Sequence, residues 1–217
     1  MDPKTRYENE RLAGKESRER AILEAAEQVF TNKGIEKATM QDVANEANVG
    51  IATVFRFFPK KDKLILAVAT RKMEDVLSDF REIAEFNVPC LKKIELLFDK
   101  FSFLERHAQV KLLENFDSYV AHLTEPLEDI ESYNSVYQEI SHVFASIAEQ
   151  GAKDGSIRPD VSAQDVLTTI INVFGIFARK LTLLSHIPVA RQDFPPERQL
   201  TVLKEIFLSY LRNPNQA

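Results

Sequence analysis

Apolar residues along this chain recur at intervals of three and four, and the chain therefore reads as a succession of helices. In the first, Ile22, Ala25, Ala26, Val29 and Phe30 share one face. Ser17 is a suitable N-cap for it, and Gly34 a suitable stop after Lys33. Thr39, followed three residues later by Asp42, forms the sequence of a capping box that opens a short second helix. Its buried side is Met40, Val43, Ala44 and Ala47. Asn48, Val49 and Gly50 make a tight turn in which Gly50 serves either as the residue of unusual backbone conformation or as an N-cap. A third short helix runs from Ile51 to Phe58, where Pro59 ends it by removing a hydrogen bond and crowding the turn before it. Two short helices about a Gly-containing three-residue turn have the form of a helix-turn-helix.

Beyond it, a long amphipathic segment from Lys60 toward Phe86 carries Leu64, Ile65, Val68, Met73, Val76, Leu77 and Phe80. Further helical patterns cover about 91–107, 108–123, 130–150, 162–184 and 197–211, separated by Pro89, Pro126, the stretch from Gly151 to Pro159 and the loop from Ile187 to Pro196. The expected fold is all-α. It comprises an N-terminal three-helix helix-turn-helix domain and a larger helical domain for ligand binding and dimerisation, with nine to ten helices in all. The expected division is a flexible tail over 1–16, a helix-turn-helix domain over 17–63 and the larger domain over 64–217.

Composition sharpens this picture at three points. Only 6 glycines and an absence of alternating apolar runs argue against a β-rich fold. A single cysteine excludes an internal disulfide and a cysteine-rich metal site, so Cys90 reads as a small buried apolar residue rather than a redox sensor. The apolar run from Val166 to Leu184 is broken by Asn172, Arg179 and Lys180, which a lone membrane helix would carry at high cost; no membrane association and a cytoplasmic location are expected.

The net charge of −5 argues against a nucleic-acid partner only until it is divided along the chain. Residues 1–63 hold 12 basic and 11 acidic side chains, so the acidic excess belongs to the remainder. Within Asn48 to Lys63, Arg56, Lys60, Lys61 and Lys63 stand against Asp62 alone. A local basic surface is compatible with an acidic whole.

On the third helix, steps of 100° bring Val54 and Phe58 together on the inward face and leave Ala52, Thr53 and Arg56 outward. Arginine can bond O6 and N7 of guanine with two donors, and the methyl groups of Ala and Thr can meet thymine methyls. Any surface helix can show a small residue, a Thr and an Arg, and on that basis alone the structural reading is the better one. Phe55 and Phe57, at the margins of the inward face, shift the balance, because a partly exposed ring calls for a partner or a groove. Lys60 and Lys61 stand where a helix dipole disfavours cations; a bound phosphate would resolve that conflict, and solvated lysines are the plain alternative.

The runs Gly34-Ile35, Thr39-Met40-Gln41-Asp42-Val43-Ala44, Ala47-Asn48-Val49 and Thr53 through Leu64 resemble the DNA-binding domain of the tetracycline-repressor (TetR) family over about Ser17 to Leu64. The resemblance implies an all-helical homodimer on a palindromic double-stranded operator, with its third helix in the major groove. Lys61 matches the family lysine that contacts phosphate at the start of the fourth helix, and Thr39 matches the cap of the second helix that approaches the backbone. The candidate DNA-binding set is Thr39, Gln41, Ile51, Ala52, Thr53, Phe55, Arg56, Phe57, Lys60 and Lys61. Phe55 and Phe57 replace the Tyr and the frequent His of the family, which places more of the backbone contact on Arg56, Lys60 and Lys61.

Eleven of the 15 phenylalanines lie beyond Leu64. Phe98, Phe101, Phe116, Tyr119, Phe144, Phe174 and Phe177, with Phe103, are candidates to line an apolar or aromatic pocket, although core packing is the better reading for each one alone. The family resemblance implies a small-molecule ligand in this region and a dimer surface on the helices over about 130–150 and 162–184. The four histidines have no metal-ligand spacing, and no phosphate loop, nucleophile motif or carboxylate pair stands out, so no metal, cofactor or enzyme activity is expected. Two functions from different classes remain open. One is a DNA-binding regulator, a repressor released by an apolar or aromatic ligand; the other is a helical interaction protein whose helix-turn-helix no longer binds DNA.

Overall fold

The first helix, α1 (Pro3–Lys33), begins well before the cap expected at Ser17. The expectation failed because a cap residue is a preference, and nothing between Lys4 and Leu12 interrupts a helix. Proline occupies the first position, where its missing N–H costs nothing, and the Arg6 N–H bonds the Asp2 carbonyl at 3.1 Å. Arg6 Nε meets Glu10 Oε1 at 3.0 Å one turn on. Extending an existing helix costs far less than nucleating one, so the polar residues before Ile22 continue it through solvent.

The computed structural model describes residues 2–102, 107–184 and 195–216. Among them the helices after α1 are α2 (Met40–Glu46), α3 (Ile51–Phe57), α4 (Lys61–Ala84), α5 (Cys90–Ser102), α6 (His107–Ala121), α7 (Glu131–Asp154), α8 (Ala163–Leu184) and α9 (Pro196–Leu211). A 3-10 turn over Pro214–Gln216 follows, and the described residues form no strand beyond one isolated antiparallel bridge between Ile157 and Arg212. The all-α expectation holds. The described chain gathers into two compact units, the first made of residues 1–72 and 112–133 and the second of residues 73–111 and 134–217.

The first unit is built on a core that joins Ile22, Val29 and Phe30 of α1 to Val43 and Ala44 of α2, Val54 of α3, Leu64 and Val68 of α4, and Leu112 and Phe116 of α6. Part of α6 thus completes the core beneath the helix-turn-helix. Around its edge, Lys72, itself buried, reaches Glu27 of α1 at 2.8 Å. Breaking that pair from one side would leave a desolvated ammonium, so both partners hold α4 against α1.

The second unit corrects the expected end of α7. The helix passes through Gly151 and stops at Asp154; the residue of left-handed backbone is Gly155, with φ 70°. Gly151 is needed for proximity, since a Cβ there would lie 2.6 Å from Cδ1 of Ile157 and 2.9 Å from Sγ of Cys90. The Asp154 carboxylate then accepts the Cys90 backbone N–H at 2.8 Å and the Ser156 N–H at 2.9 Å, and Ser156 Oγ accepts from Leu91 N. These acceptors satisfy donors in the first turn of α5 that have no partner within the helix. The chain end is fastened to the same loop, with Arg158 N–H donating to Leu211 O at 2.9 Å and Asn213 N–H to Ser156 O at 3.1 Å. Burial, and then the Asp154 charge, push the Cys90 thiol up to about 12, so no thiolate forms there near neutral pH.

Candidate nucleic-acid interface

The geometry of α2 and α3 starts at Thr39. Its backbone is extended, its Oγ1 accepts the Asp42 N–H at 3.1 Å, and its own N–H donates to Asp42 Oδ2 at 3.0 Å, which is a complete capping box. Lys33, in the last turn of α1, adds a pair to Asp42 Oδ1 at 2.5 Å. The Lys33 and Thr39 hydrogen bonds hold the Asp42 carboxyl down at about 2. The end of α1 and the start of α2 are therefore joined through one side chain.

The turn to α3 differs from one expectation. Asn48 takes the left-handed backbone, with φ 51°, while Gly50 sits at φ −67° and serves as N-cap. Asparagine tolerates that region because its short amide can bond locally. The Val49 N–H closes the turn on the Ala44 carbonyl at 3.0 Å. From there α3 follows at an angle set by two anchors, Val54 and Phe58, both buried in the core of the first unit. Truncating Phe58 to alanine would cost about 3 to 5 kcal/mol, more than any surface contact of this helix can offset. Phe58 has left the helical region, at φ −129° and ψ 89°, as a residue before proline tends to, and α4 opens after Pro59.

With those anchors in place, Ala52, Phe55 and Arg56 are exposed and Thr53 is half-buried. Phe55 keeps 46% of its surface open to solvent. Phe57 and Ile51 pack partly against the core, and the Arg56 guanidinium lies over the Phe57 ring, 5.6 Å from its centre. That stacking removes some of the rotamer freedom Arg56 would lose on binding. Thr39 and Gln41 are exposed on α2, with the Gln41 amide donating to Asn45 Oδ1 at 2.9 Å. The ten candidate DNA-binding residues thus lie on or beside two adjoining short helices of one unit.

The lysines at the start of α4 hold partners that the sequence does not reveal. Lys61 Nζ donates to the Glu36 carbonyl at 3.1 Å, and desolvation lowers its pKa below the ordinary lysine value. Lys60 Nζ donates to Glu128 Oε1 at 2.7 Å, and Lys63 Nζ to Asp129 Oδ2 at 2.8 Å. Asp62 accepts from the Tyr119 hydroxyl at 2.7 Å, and burial followed by that bond pushes the phenol up to about 12. The pairing of Lys60 and Lys63 with Glu128 and Asp129 has no sequence signal, because the partners lie more than sixty residues apart and no local pattern marks such pairs.

Among the described residues, the aromatic side chains expected around a ligand make ring contacts within their own units. Phe116 stacks at a tilt on Tyr133, 4.9 Å between centres, and with Tyr119 belongs to the first unit. In the second unit Phe144 packs on Phe80 at 4.4 Å and Phe98 on Phe207 at 6.1 Å, while Phe177 is half-buried on α8. The side chains of Phe101 and Phe174, and Phe103 entirely, lie outside the described residues. A pocket of about 420 Å³ opens between the end of α7, the following loop and the chain end, lined by Ala148, Ala152, Ile157, Arg158, Val161 and Asn213 among others; none of the aromatic candidates lines it. Among the described residues no group of acidic, His and Cys side chains is placed to hold a metal, and no helix is long and apolar enough to cross a membrane.

Comparison with known proteins agrees with this geometry. Residues 22–68 match the family model for bacterial regulatory proteins of the tetR family. Over 145 residues the chain is 30% identical to the HTH-type transcriptional regulator YhgD of Bacillus subtilis, a match covering 65% of this chain and 73% of that one. It is 25% identical over 147 residues to the HTH-type transcriptional repressor KstR2 of Mycolicibacterium smegmatis, covering 67% of this chain and 70% of the relative. The crystal structure of the regulator FadR from Bacillus subtilis in complex with stearoyl-CoA has the same fold, with a TM-score of 0.63, 16% identity, and coverage of 88% of this chain and 98% of that one. The chain belongs to the tetR family of bacterial regulatory proteins, helix-turn-helix transcriptional regulators that bind DNA and are not enzymes.

Proposed function

We propose that the chain is a cytoplasmic repressor that binds a palindromic operator as a homodimer, reads it with α3, and leaves it when an apolar or aromatic small molecule binds the larger domain. The observation that carries the DNA reading is the division of α3. Val54 has no exposed surface and Phe58 almost none, while Ala52, Phe55 and Arg56 of the same two turns face solvent. Such a helix is held from one side and free to enter a groove with the other. Arg56 would bond a guanine, Ala52 and Thr53 would lie against thymine methyls, and Thr39, Gln41 and Lys61 would meet the backbone. Ile51, Phe55 and Phe57 would contribute apolar contact at the groove edge, and Lys60 phosphate contact.

Repression and ligand release are supported by the relatives. KstR2 is named a transcriptional repressor, and the FadR structure was determined with an acyl-CoA bound. For the dimer, α7 buries Val136, Ile140, Phe144 and Ile147 within the chain's own second unit and exposes Tyr137. More exposed apolar side chains lie on α8, at Val173 and Ile176, and on α9, at Val202, Ile206 and Tyr210. These two helices pack on one another. A second copy of the chain is the proposed cover for that surface.

A mobility-shift assay with the duplex upstream of the chain's own coding region tests the reading. A discrete complex that survives excess random DNA supports it. Equal, weak binding to every duplex would favour an interaction protein that has lost DNA recognition.

A further inference from the structure

The three lysines around the start of α4 offer the highest local density of positive charge in the helix-turn-helix region, and all three ammonium groups are engaged. Lys61 donates to the Glu36 carbonyl, and the Asp62 and Glu36 carboxylates act on it only through their fields. Lys60 and Lys63 are engaged by acids. Glu128 presents one oxygen to Lys60 at 2.7 Å and the other to Lys63 at 3.7 Å, and Asp129 closes on Lys63 at 2.8 Å. Asp62, the acid nearest in sequence, takes no part in these pairs, since its carboxylate accepts the Tyr119 hydroxyl. The neutralising charge comes entirely from the loop between α6 and α7.

That loop is shaped to deliver it. Asp129 holds a left-handed backbone, with φ 62°, which a residue with a side chain adopts only at a cost. The Ser132 hydroxyl bonds the Asp129 carbonyl at 3.3 Å and fixes the bend where α7 begins. The result is two adjacent carboxylates against two lysines, the arrangement in which successive phosphates of a nucleic-acid strand would meet them. The lysine beside it holds the Glu128 carboxyl below its ordinary range, and the bond to Asp129 raises the Lys63 ammonium above its own.

We propose that Glu128 and Asp129 act as an internal substitute for DNA phosphate, occupying Lys60 and Lys63 in the free protein so that a duplex must displace them to bind. This rests on the DNA-binding reading of the site. Lys60, Glu128 and Asp129 are well exposed and Lys63 is half-buried, and ion pairs so open to water are weak, so the exchange lowers affinity without preventing binding. It also alters the salt dependence. A lysine that trades a carboxylate for a phosphate leaves a carboxylate that recruits a cation, so fewer ions are released in net than the number of phosphates contacted.

The test measures full-length protein binding to a random duplex and to the upstream duplex, by fluorescence anisotropy between about 50 and 200 mM salt. Glu128→Gln with Asp129→Asn preserves shape, and asparagine is at home in the left-handed region. The double variant is expected to bind both duplexes about three- to tenfold more tightly than the wild type, with a steeper salt slope. Glu125→Gln, in the same loop, removes one carboxylate outside the pair, against two in the double variant, and is the control for simple repulsion when gains are compared per charge removed. In the double variant Lys60→Gln should cost more affinity than in the wild type. A double variant that binds like the wild type, or a Glu125→Gln that gains as much per charge removed, overturns the inference and leaves the DNA-binding reading intact. A wild type that binds neither duplex overturns both.

Discussion

Gly151 of α7 and Ile157 of the following loop approach so closely that a Cβ on the glycine would stand 2.6 Å from the isoleucine Cδ1. The helix tolerates glycine at its interior because close packing is worth more there than propensity. Alanine at this position gains up to about 1 kcal/mol of helix propensity, and overpacking costs about 1 to 3 kcal/mol. Gly151→Ala is therefore expected to lower stability by about 1 kcal/mol in urea unfolding. Adding Ile157→Val removes the nearest atom but leaves Ile157 Cγ1 and Cys90 Sγ each 2.9 Å away, so it should recover only part of the loss. A Gly151→Ala protein more stable than the wild type would mean that the contact with Ile157 and Cys90 is slack.

The Thr39 capping box makes a second stability prediction. Thr39→Ala removes an acceptor from α2 and should cost about 1 kcal/mol, a typical value for a lost N-cap. The same site predicts a pH dependence. The Asp42 carboxyl titrates at about 2 in the folded protein, below its ordinary value of 3.8, so it binds protons more readily when unfolded. Its contribution is thus fully present above about pH 4 and is lost as pH falls toward 2. Thr39→Ala and Lys33→Met should each weaken that acid dependence, while leaving the slope between pH 6 and 8 unchanged. Unfolding curves at pH values across about 2 to 7 check both.

Arg56 and Lys61 should separate recognition from adhesion. Arg56→Ala is expected to weaken binding to the specific site by about 1 to 3 kcal/mol and to relax preference at one base pair. Lys61→Ala should weaken specific and random duplexes alike and flatten the salt dependence. Because Lys61 also ties α4 to the Glu36 carbonyl, its variant needs a folding control that Arg56 does not. An Arg56→Ala protein with unchanged site affinity would remove α3 from the role of reader.

How much of this was legible in the sequence follows from how local each signal is. The inward pair Val54 and Phe58, the Thr39 cap and the stop at Pro59 depend on residues three or four apart, and each is found where the spacing puts it. The start of α1 was misjudged because a cap signal at Ser17 does not oblige a helix to begin there. Of the two roles open to Gly50 the structure takes the N-cap, and Asn48 takes the left-handed backbone; both residues tolerate that region, and sequence alone does not rank them. The Lys60–Glu128 and Tyr119–Asp62 pairs were illegible, since charge and hydroxyl partners brought together by the packing of α6 beneath α4 leave no periodicity. Phe116 serves the first unit, and Phe98 and Phe144 the second.

The last prediction concerns assembly. One short reading helix contacts too few bases to hold a specific site. Two related by a two-fold axis, with centres about 34 to 36 Å apart, read both halves of a palindrome. Ile176 exposes 71% of its surface and Ile206 58%, so replacing either with aspartate should disturb the fold of the single chain little. Within an interface the same change would bury an unpaired carboxylate, at a cost of several kcal/mol counted twice across a two-fold axis. Ile176→Asp with Ile206→Asp is therefore expected to convert a dimer into a monomer by light scattering, with an unchanged circular dichroism spectrum and much weaker binding to a full palindrome. Binding to a half-site duplex should fall far less, because each reading head remains intact. A double variant that is still dimeric would place the interface away from α8 and α9. A wild type that is monomeric at micromolar concentration would remove the two-headed reading altogether.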